Sequence, residues 1–194
     1  MDEKHRLRAK LRQVRREHVA ALPPQTRALV FMRPPGVIAD SIADKAVVGL
    51  YHAMGDEAPT RAYAKWFFDN GRRIALPWFA GRGAAMRFRL WNDPYADDGL
   101  EEGPYRALQP RADAEEVLPD TLFVPLVGFT AQADRLGQGG GHYDRWLEAH
   151  PGLRAIGLGW DCQLLDTIPR EPHDRALDAI ITPTRHYQRP EQET

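Results

Sequence analysis

The sequence has little of several features that would point to common protein classes. Its 194 residues include a single cysteine, Cys162, which excludes a disulfide framework and a cysteine-rich zinc site. No apolar run approaches the roughly 18 residues that a membrane-spanning helix needs, and the first residues are charged, unlike those of a secretory signal. Because 26 Lys and Arg residues balance 27 Asp and Glu residues, no general attraction to nucleic acid or anionic membrane is expected. We therefore expect a cytoplasmic monomer that binds neither nucleic acid nor membrane.

Strand-like runs alternate with helical patterns along the chain. This alternation favours an α/β fold, namely a three-layer, Rossmann-like sandwich with a mainly parallel central sheet flanked by helices. We expect residues 1–194 to form a single domain, in which the acidic segment Asn92–Asp120 is a solvated excursion. The predicted helices are residues 3–21, Pro59–Asn70 and His142–His150, and the predicted strands are Lys45–Tyr51, Arg72–Pro77, Met86–Trp91, Thr121–Phe129, Arg154–Trp160 and Asp178–Thr182.

The predicted amino-terminal helix is rich in positive charge, with seven Lys or Arg among the first 16 residues. Helical spacing predicts a buried apolar stripe with basic residues along one edge. Such residues can snorkel at the rim of the core or bind an anionic ligand, and spacing alone favours snorkelling without excluding the other role. A nucleic-acid-binding helix is disfavoured by the overall charge balance. The stripe comprises Leu7, Leu11, Val14 and His18, and its basic edge comprises Lys4, Arg8 and Arg15.

The stretch RLGQGGGHYDRWLEA, Arg135–Ala149, places four glycines between a predicted strand and a predicted helix. A helix N-terminus presents unpaired N–H groups and a partial positive charge, and glycines let a phosphate approach that backbone closely. The spacing differs from that of the P-loop and of the G-x-G-x-x-G dinucleotide fingerprint. The stretch therefore suits a nucleotide phosphate site, and a flexible turn before the helix is the alternative.

Asp144 follows the glycines and falls in the first turn of the predicted helix. A carboxylate at this position interacts favourably with the helix dipole. It also suits Mg²⁺, which prefers hard oxygen ligands and is commonly held beside phosphates. The position therefore indicates either a capping carboxylate or a magnesium ligand next to bound phosphate.

Several motifs together resemble the 5-formyltetrahydrofolate cyclo-ligase family, also called methenyltetrahydrofolate synthetase. The central motif is RLGQGGGHYDRWL, Arg135–Leu147. Around it stand, in the family's order, KHRLR near the start, YHAMGDEAPT after the first predicted strand, LPWF, LFVPLVGFTAQAD before the glycines, and AIGLGWDCQLLDTIPREPHDRALDAIIT towards the end. The match extends over most of the chain, and several motifs in the correct order are far more specific than any one of them.

This resemblance implies ATP-dependent, Mg²⁺-dependent conversion of 5-formyltetrahydrofolate to 5,10-methenyltetrahydrofolate, with release of ADP and phosphate. It implies that Arg135 and Asp144 take part in catalysis and that Asp144 and Asp178 bind the metal. The folate contacts that it implies are Met54, Glu57 and Tyr143, and the ATP contacts are Lys4, Arg8, Arg135, Gly137, Gly139, Gly140, Gly141, His142 and Tyr143.

The chemistry of that reaction suits the residue types present. A formamide carbonyl is a poor electrophile, and its oxygen must finally leave. Transfer of the ATP γ-phosphoryl group to the formyl oxygen would activate the carbon, after which nitrogen 10 closes the ring and phosphate departs. Phosphoryl transfer needs positioning, Mg²⁺ and positive charge rather than a protein nucleophile, which agrees with the absence of an activated cysteine or serine motif.

Two positions in the glycine stretch keep a second function open. Gly140 stands where some family members have a lysine, and His142 stands where many have an aromatic residue. The alternative hypothesis is therefore a relative of the family that binds nucleotide but has lost or changed the folate activity.

Overall fold

The computed structural model describes residues 3–169, 171 and 174–190. Within these residues, no helix combines the length and the apolar character needed to cross a membrane. Helices α1 to α5 cover Glu3–Ala21, Pro24–Leu29, Gly36–Ala39, Arg61–Asp69 and His142–Ala149. Strands β1 to β12 cover Val47–Gly49, Arg73–Trp78, Arg87–Leu90, Leu100–Glu102, Leu108–Pro110, Thr121–Pro125, Gly128–Thr130, Arg135–Leu136, Arg154–Leu158, Leu164–Leu165, Ala179–Ile181 and His186–Gln188.

Seven strands form one large sheet in the order β12-β11-β9-β6-β1-β2-β3. Strand β1 pairs in parallel with β2 and β6, and β9 pairs in parallel with β11. The two edge strands run antiparallel to their neighbours. The prediction of an α/β fold with a large, mostly parallel central sheet is therefore confirmed, and the three-layer, Rossmann-like arrangement stays a prediction.

The chain divides into two compact units, of which the first brings together three separate stretches of sequence. It comprises the residues up to Val30, the short segment Asp56–Ala58 and the residues from Val124 onward. One of its core clusters packs Leu11 of α1 with Val127, Leu136 and Ile168. This cluster fixes α1 against the strands that precede the glycines.

The second unit comprises Phe31–Gly55 and Pro59–Phe123. Its core contains an aromatic group in which Tyr63 and Phe67 of α4 pack against Phe123, with the Tyr63 and Phe123 ring centroids 5.8 Å apart. The assignment of residues 1–194 to a single domain stays a prediction.

The buried face of α1 differs from the predicted stripe. Its buried residues are Lys4, Leu11, Arg15 and Val19, so Leu11 is the only member of the predicted stripe that is fully buried. The snorkelling interpretation was wrong for Lys4 and Arg15, because carboxylates distant in sequence neutralise both cations. Burial of a charge is tolerable only when such a partner offsets the desolvation, and helical periodicity does not reveal where that partner lies.

Two predicted segments are subdivided in the structure. The run Thr121–Phe129, predicted as one strand, ends its first strand at Pro125, whose nitrogen has no hydrogen for the ladder. Strand β7 then joins β8 and β10 in a separate three-stranded sheet. The acidic segment Asn92–Asp120, predicted as a solvated excursion, contains the antiparallel pair β4–β5, and this pairing was not predicted. Its high content of acids, prolines and glycines conceals the pairing, since these residues are depleted in strands.

Candidate active site

The glycine loop, residues 137–141, connects β8 to α5. Gly141 precedes the helix with φ of 64°, a left-handed conformation that glycine adopts without strain. In the described chain no side chain caps the N-terminus of α5, so the N–H groups of its first turn keep their capacity to bind an anion. At position 137 a Cβ would lie 2.9 Å from Nη1 of Arg135, so a larger residue there would displace the buried guanidinium.

Arg135 is a buried cation at the start of this loop. Its Nη2 donates a hydrogen bond to Oδ1 of Asp144, and its Nη1 donates to the carbonyl oxygen of Pro125 at 3.4 Å. The guanidinium carbon lies 5.9 Å from the ring centroid of Tyr143, and burial raises the pKa of that phenol. Within the described residues the buried Nε of Arg135 has no hydrogen-bond partner. A cation with an unsatisfied donor thus stands where α5 begins.

Asp144 is the third residue of α5, and one of its two carboxylate oxygens is engaged by Arg135. The other oxygen, Oδ2, makes no hydrogen bond within the described part of the chain. The side chain is 21% exposed, so the carboxylate is partly open to solvent. The carboxylate can therefore hold its arginine and still contact a cation.

Two arginines of α1 hold the main chain of the glycine loop. Arg8 donates from Nε to the carbonyl oxygen of Gly137 at 2.9 Å, and Arg12 donates from Nη2 to the carbonyl oxygen of Gln138 at 2.8 Å. The two arginines are four residues apart and so lie on the same face of the helix. The contact of Arg12 with the loop was not predicted. The four-residue spacing from Arg8 was the available signal, because it places both side chains on one face of α1.

Lys4, an expected ATP contact, is engaged with carboxylates. Its side chain is buried, and Nζ donates to Oδ2 of Asp174 at 2.6 Å and lies 3.0 Å from Oε2 of Glu171. Burial disfavours the charged ammonium, but hydrogen bonds to the two carboxylates and their charges outweigh it, so the pKa of Lys4 is raised. A phosphate contact by Lys4 would have to share or replace these carboxylates.

The expected folate contacts Glu57 and Met54 belong to different units. Glu57 lies in the first unit, where its Oε1 accepts a hydrogen bond from Nε2 of Gln138 at 2.8 Å. Met54 lies in the second unit, where its side chain is 40% exposed. The structure thus connects Glu57 directly to the glycine loop, through a glutamine that the sequence analysis did not single out.

His142 is the first residue of α5 and is half-buried. Its Nδ1 lies 3.2 Å from Nη2 of Arg145, which also donates to the carbonyl oxygen of Gly140 at 2.9 Å. Burial and the charge of Arg145 lower the pKa of His142 below its ordinary value. Both effects disfavour a positive charge on this ring.

The two expected metal ligands have different hydrogen-bond partners. Asp178 accepts a hydrogen bond from the N–H of Ala155, near the start of β9. Asp144 accepts a hydrogen bond from Arg135 at the start of α5. In the ranges that the structure describes, no cluster of three or more His, Cys, Asp or Glu side chains could hold a metal ion, and the metal-binding role of Asp178 stays a prediction.

Comparison with known proteins identifies the family. Residues 1–183 match the model of the 5-formyltetrahydrofolate cyclo-ligase family. The chain belongs to this family. Over 188 residues it is 28% identical to the 5-formyltetrahydrofolate cyclo-ligase of Escherichia coli K12, which covers 94% of this chain and 99% of the relative. Over 143 residues it is 32% identical to the Mycolicibacterium smegmatis enzyme of the same name, covering 70% of this chain and 72% of the relative.

Solved structures agree with this assignment at the level of the fold. The 5,10-methenyltetrahydrofolate synthetase of Aquifex aeolicus superimposes with a TM-score of 0.76 at 23% identity, covering 98% of this chain and 95% of that chain. The enzyme of the same name from Mycoplasma pneumoniae superimposes with a TM-score of 0.64 at 20% identity, covering 93% and 98%. The mixed α/β fold described above is thus shared with structures from the cyclo-ligase family.

Proposed function

We propose that the protein is an ATP-dependent 5-formyltetrahydrofolate cyclo-ligase, which forms 5,10-methenyltetrahydrofolate and releases ADP and phosphate. The observation on which this rests is the pairing of buried Arg135 with Asp144 at the uncapped N-terminus of α5, directly after the glycine loop. It combines a cation, backbone N–H donors and a carboxylate, the groups that phosphoryl transfer requires. Membership of the cyclo-ligase family and the names of the relatives support the same activity.

We assign the ATP phosphates to the glycine loop and the first turn of α5. The N–H groups there would donate to phosphate oxygens, and Arg8 supports the loop through its hydrogen bond to Gly137. Lys4 would join them only by exchanging one of its carboxylate partners. The proposed ATP contacts are Lys4, Arg8, Arg135, Gly137, Gly139, Gly140, Gly141, His142 and Tyr143.

Asp144 fits a role as a Mg²⁺ ligand in this site. Its Oδ1 is held by Arg135, and its Oδ2 is the oxygen that we assign to the ion. Mg²⁺ is usually bound by one or two carboxylates together with substrate phosphates and water, so a single protein carboxylate suffices. When bound, the ion would neutralise charge on the transferring phosphoryl group. Asp178 stays a second candidate on the strength of the family resemblance.

We assign the reduced folate to Glu57, Met54 and Tyr143. The carboxylate of Glu57 can accept hydrogen bonds from the N–H groups of a pterin ring. Tyr143 offers a neutral phenol beside Arg135, and Met54 offers exposed apolar surface. These three residues supply the two kinds of contact, polar and apolar, that a flat heterocycle with polar edges requires.

The proposed reaction consists of two exchanges of bonds. The formyl oxygen attacks the γ-phosphorus of ATP, and the bond from that phosphorus to ADP breaks. Nitrogen 10 then adds to the formyl carbon and loses its proton, and phosphate departs with the former formyl oxygen. The positive charge of Arg135 stabilises the negative charge on the phosphoryl group during its transfer from ATP to the formyl oxygen. Cys162 has no part in this route, and burial raises the pKa of its thiol.

We further propose that the protein works as a cytoplasmic monomer on small-molecule substrates, without nucleic acid or membrane. The near balance of acidic and basic residues supports this view. Size-exclusion chromatography with light scattering tests the monomeric state, and a stable dimer at micromolar concentration would contradict it.

The absorbance of the methenyl product tests the proposed function directly. We expect product to form from 5-formyltetrahydrofolate when ATP and Mg²⁺ are both present, and not when either is omitted. Binding of ATP with no product would support the alternative of a relative with changed folate activity. In that case the cyclo-ligase assignment would be abandoned.

Replacement of Arg8 by alanine is expected to raise the KM for ATP about tenfold and to change the KM for folate much less. The substitution removes a charge-assisted hydrogen bond to the loop, which is worth about 1.5–3 kcal/mol. The matched control is Arg16→Ala on the same helix, because Arg16 is exposed and donates to Gln13 instead. Steady-state kinetics with each substrate varied in turn distinguish the two variants. An unchanged KM for ATP in folded Arg8→Ala protein would show that Arg8 takes no part in ATP binding.

A further inference from the structure

We propose that Gln138 is a positioning residue that couples folate binding at Glu57 to ATP binding at the glycine loop. The inference rests on the proposed function and deepens it, because it adds a residue and a coupling between substrates that the reaction itself does not require. Gln138 is the only residue of the glycine loop, 137–141, that is not glycine. Its side chain extends from the loop to Glu57 and Arg12.

Gln138 connects three parts of the first unit through hydrogen bonds. Its Nε2 donates to Oε1 of Glu57 at 2.8 Å. Its Oε1 accepts from Nη2 of Arg12 at 3.1 Å and from Nε of Arg12 at 3.3 Å. Its main-chain oxygen also accepts from Nη2 of Arg12 at 2.8 Å. The glycine loop, α1 and the segment Asp56–Ala58 are thus joined at one side chain.

The chemistry of the neighbours fixes the direction of the Gln138 amide. Arg12 offers only donors and the ionised Glu57 offers only acceptors, so the amide oxygen must face Arg12 and the amide nitrogen must face Glu57. A glutamate at this position would set two carboxylates against each other, and a methionine would satisfy neither neighbour. An amide is therefore specifically suited to this position.

The segment that contains Glu57 is anchored on its other side. Asp56 accepts hydrogen bonds from the buried Arg15, from Nε at 2.8 Å and from Nη2 at 3.4 Å. Its carbonyl oxygen accepts from Nε1 of Trp160 at 2.9 Å. Because the main chain before Glu57 is held in this way, the contact with Gln138 sets the direction of the carboxylate rather than the position of the segment.

This link predicts that the two substrates bind cooperatively. Phosphate bound to the loop would restrict the main chain at Gln138, and the restricted amide would hold the Glu57 carboxylate in one direction for the pterin N–H groups. A carboxylate that is already oriented loses less conformational freedom on binding. Linkage requires that bound folate raises the affinity for ATP by the same factor.

Isothermal titration calorimetry of the full chain tests the coupling. The titrant is 5-formyltetrahydrofolate, added with and without a non-hydrolysable ATP analogue and Mg²⁺. For the wild-type protein we expect the analogue to lower the folate Kd by about fivefold or more. In Gln138→Met this factor should fall to about one, and in Gln138→Glu the folate should bind more weakly still, because two carboxylates would then repel.

Gln13→Glu is the matched control for these variants. Gln13 donates to Glu17 and accepts from Arg16, so it makes the same arginine–glutamine–glutamate chain on the exposed side of α1. This variant should keep both the folate affinity and the gain from the ATP analogue. Equal loss in the Gln13 and Gln138 variants would overturn the proposal.

A double-mutant cycle separates positioning from a general structural role. If Gln138 acts through Glu57, Gln138→Met should have little further effect on folate affinity in a Glu57→Gln background. Additive effects in the cycle would overturn the proposal, as would an unaltered gain from the analogue in Gln138→Met. The proposed function would stand in both cases. Failure of the wild-type protein to bind the folate would instead overturn both.

Discussion

Substitution of Asp144 by asparagine is expected to lower kcat by about 100-fold, which corresponds to roughly 2.7 kcal/mol of lost transition-state stabilisation. Asparagine keeps the size and one oxygen but removes the charge that would attract Mg²⁺ to Oδ2 in the proposed site. The Mg²⁺ concentration for half-maximal rate should rise, and added Mg²⁺ should recover part of the activity. Turnover measured across a Mg²⁺ titration checks both expectations.

The same substitution should also lower the stability of the fold, because Asp144 is the counter-ion of a buried arginine. The helix-dipole contribution inferred from sequence is only about 0.3–1 kcal/mol, whereas replacing the ion pair of Arg135 by a contact with a neutral amide is expected to cost about 1.5–3 kcal/mol. Asp56→Asn is the matched control, because Asp56 also pairs with a buried arginine. The side chains of Asp56 and Arg15 are 22% and 7% exposed, and those of Asp144 and Arg135 are 21% and 3% exposed. Both variants should melt at similar temperatures, and only Asp144→Asn should alter the Mg²⁺ dependence. A Mg²⁺ dependence like that of the wild type in Asp144→Asn would show that its carboxylate is structural.

Substitution of Arg135 by lysine is expected to lower kcat/KM for ATP by about 100-fold, the effect typical of losing one preorganised donor. The planar guanidinium reaches both the carbonyl oxygen of Pro125 and the carboxylate of Asp144. A lysine ammonium keeps the charge but cannot make this forked contact. Kinetics with ATP as the varied substrate, together with thermal melting, measure the effect.

Arg145→Lys is the control for this substitution, because Arg145 contacts the same loop from an exposed position. Its replacement should change kcat/KM for ATP by less than about fivefold, since exposed polar contacts contribute little. Equal losses in both variants would mean that any cation near the loop suffices, and the specific role of Arg135 would be withdrawn.

The local parts of the site could be predicted from the sequence. Arg135 and Asp144 are nine residues apart, and the glycines lie between them, so a strand, a loop and a helix in that order bring them to one place. The mostly parallel sheet was also predictable, because short buried strands alternate with helices. Both predictions use only the order of short segments that follow one another along the chain.

The long-range partners could not be predicted in the same way. Lys4 meets Asp174 across 170 residues, Glu57 meets Gln138 across 81 residues, and Arg15 meets its aspartate across 41. Each pair joins polar side chains that, taken singly, fit a solvated surface. Their partners are determined by the packing of the first unit, which a helical or strand period does not specify.

The ion pair between Lys4 and Asp174 has a consequence for the order of folding. At a synthesis rate of about 5–20 residues per second, the chain reaches Asp174 roughly 10–30 seconds after Lys4. Until then, burial of Lys4 would leave an ammonium without a counter-charge, which favours an undocked helix. We therefore expect α1 to dock only after Asp174 has been synthesised, and its amides to gain protection after those of β1 and β2 in hydrogen exchange on ribosome-bound chains of increasing length. Protection of α1 together with the earliest strands would contradict this order. The first helix to be synthesised would thus be among the last to reach its final place.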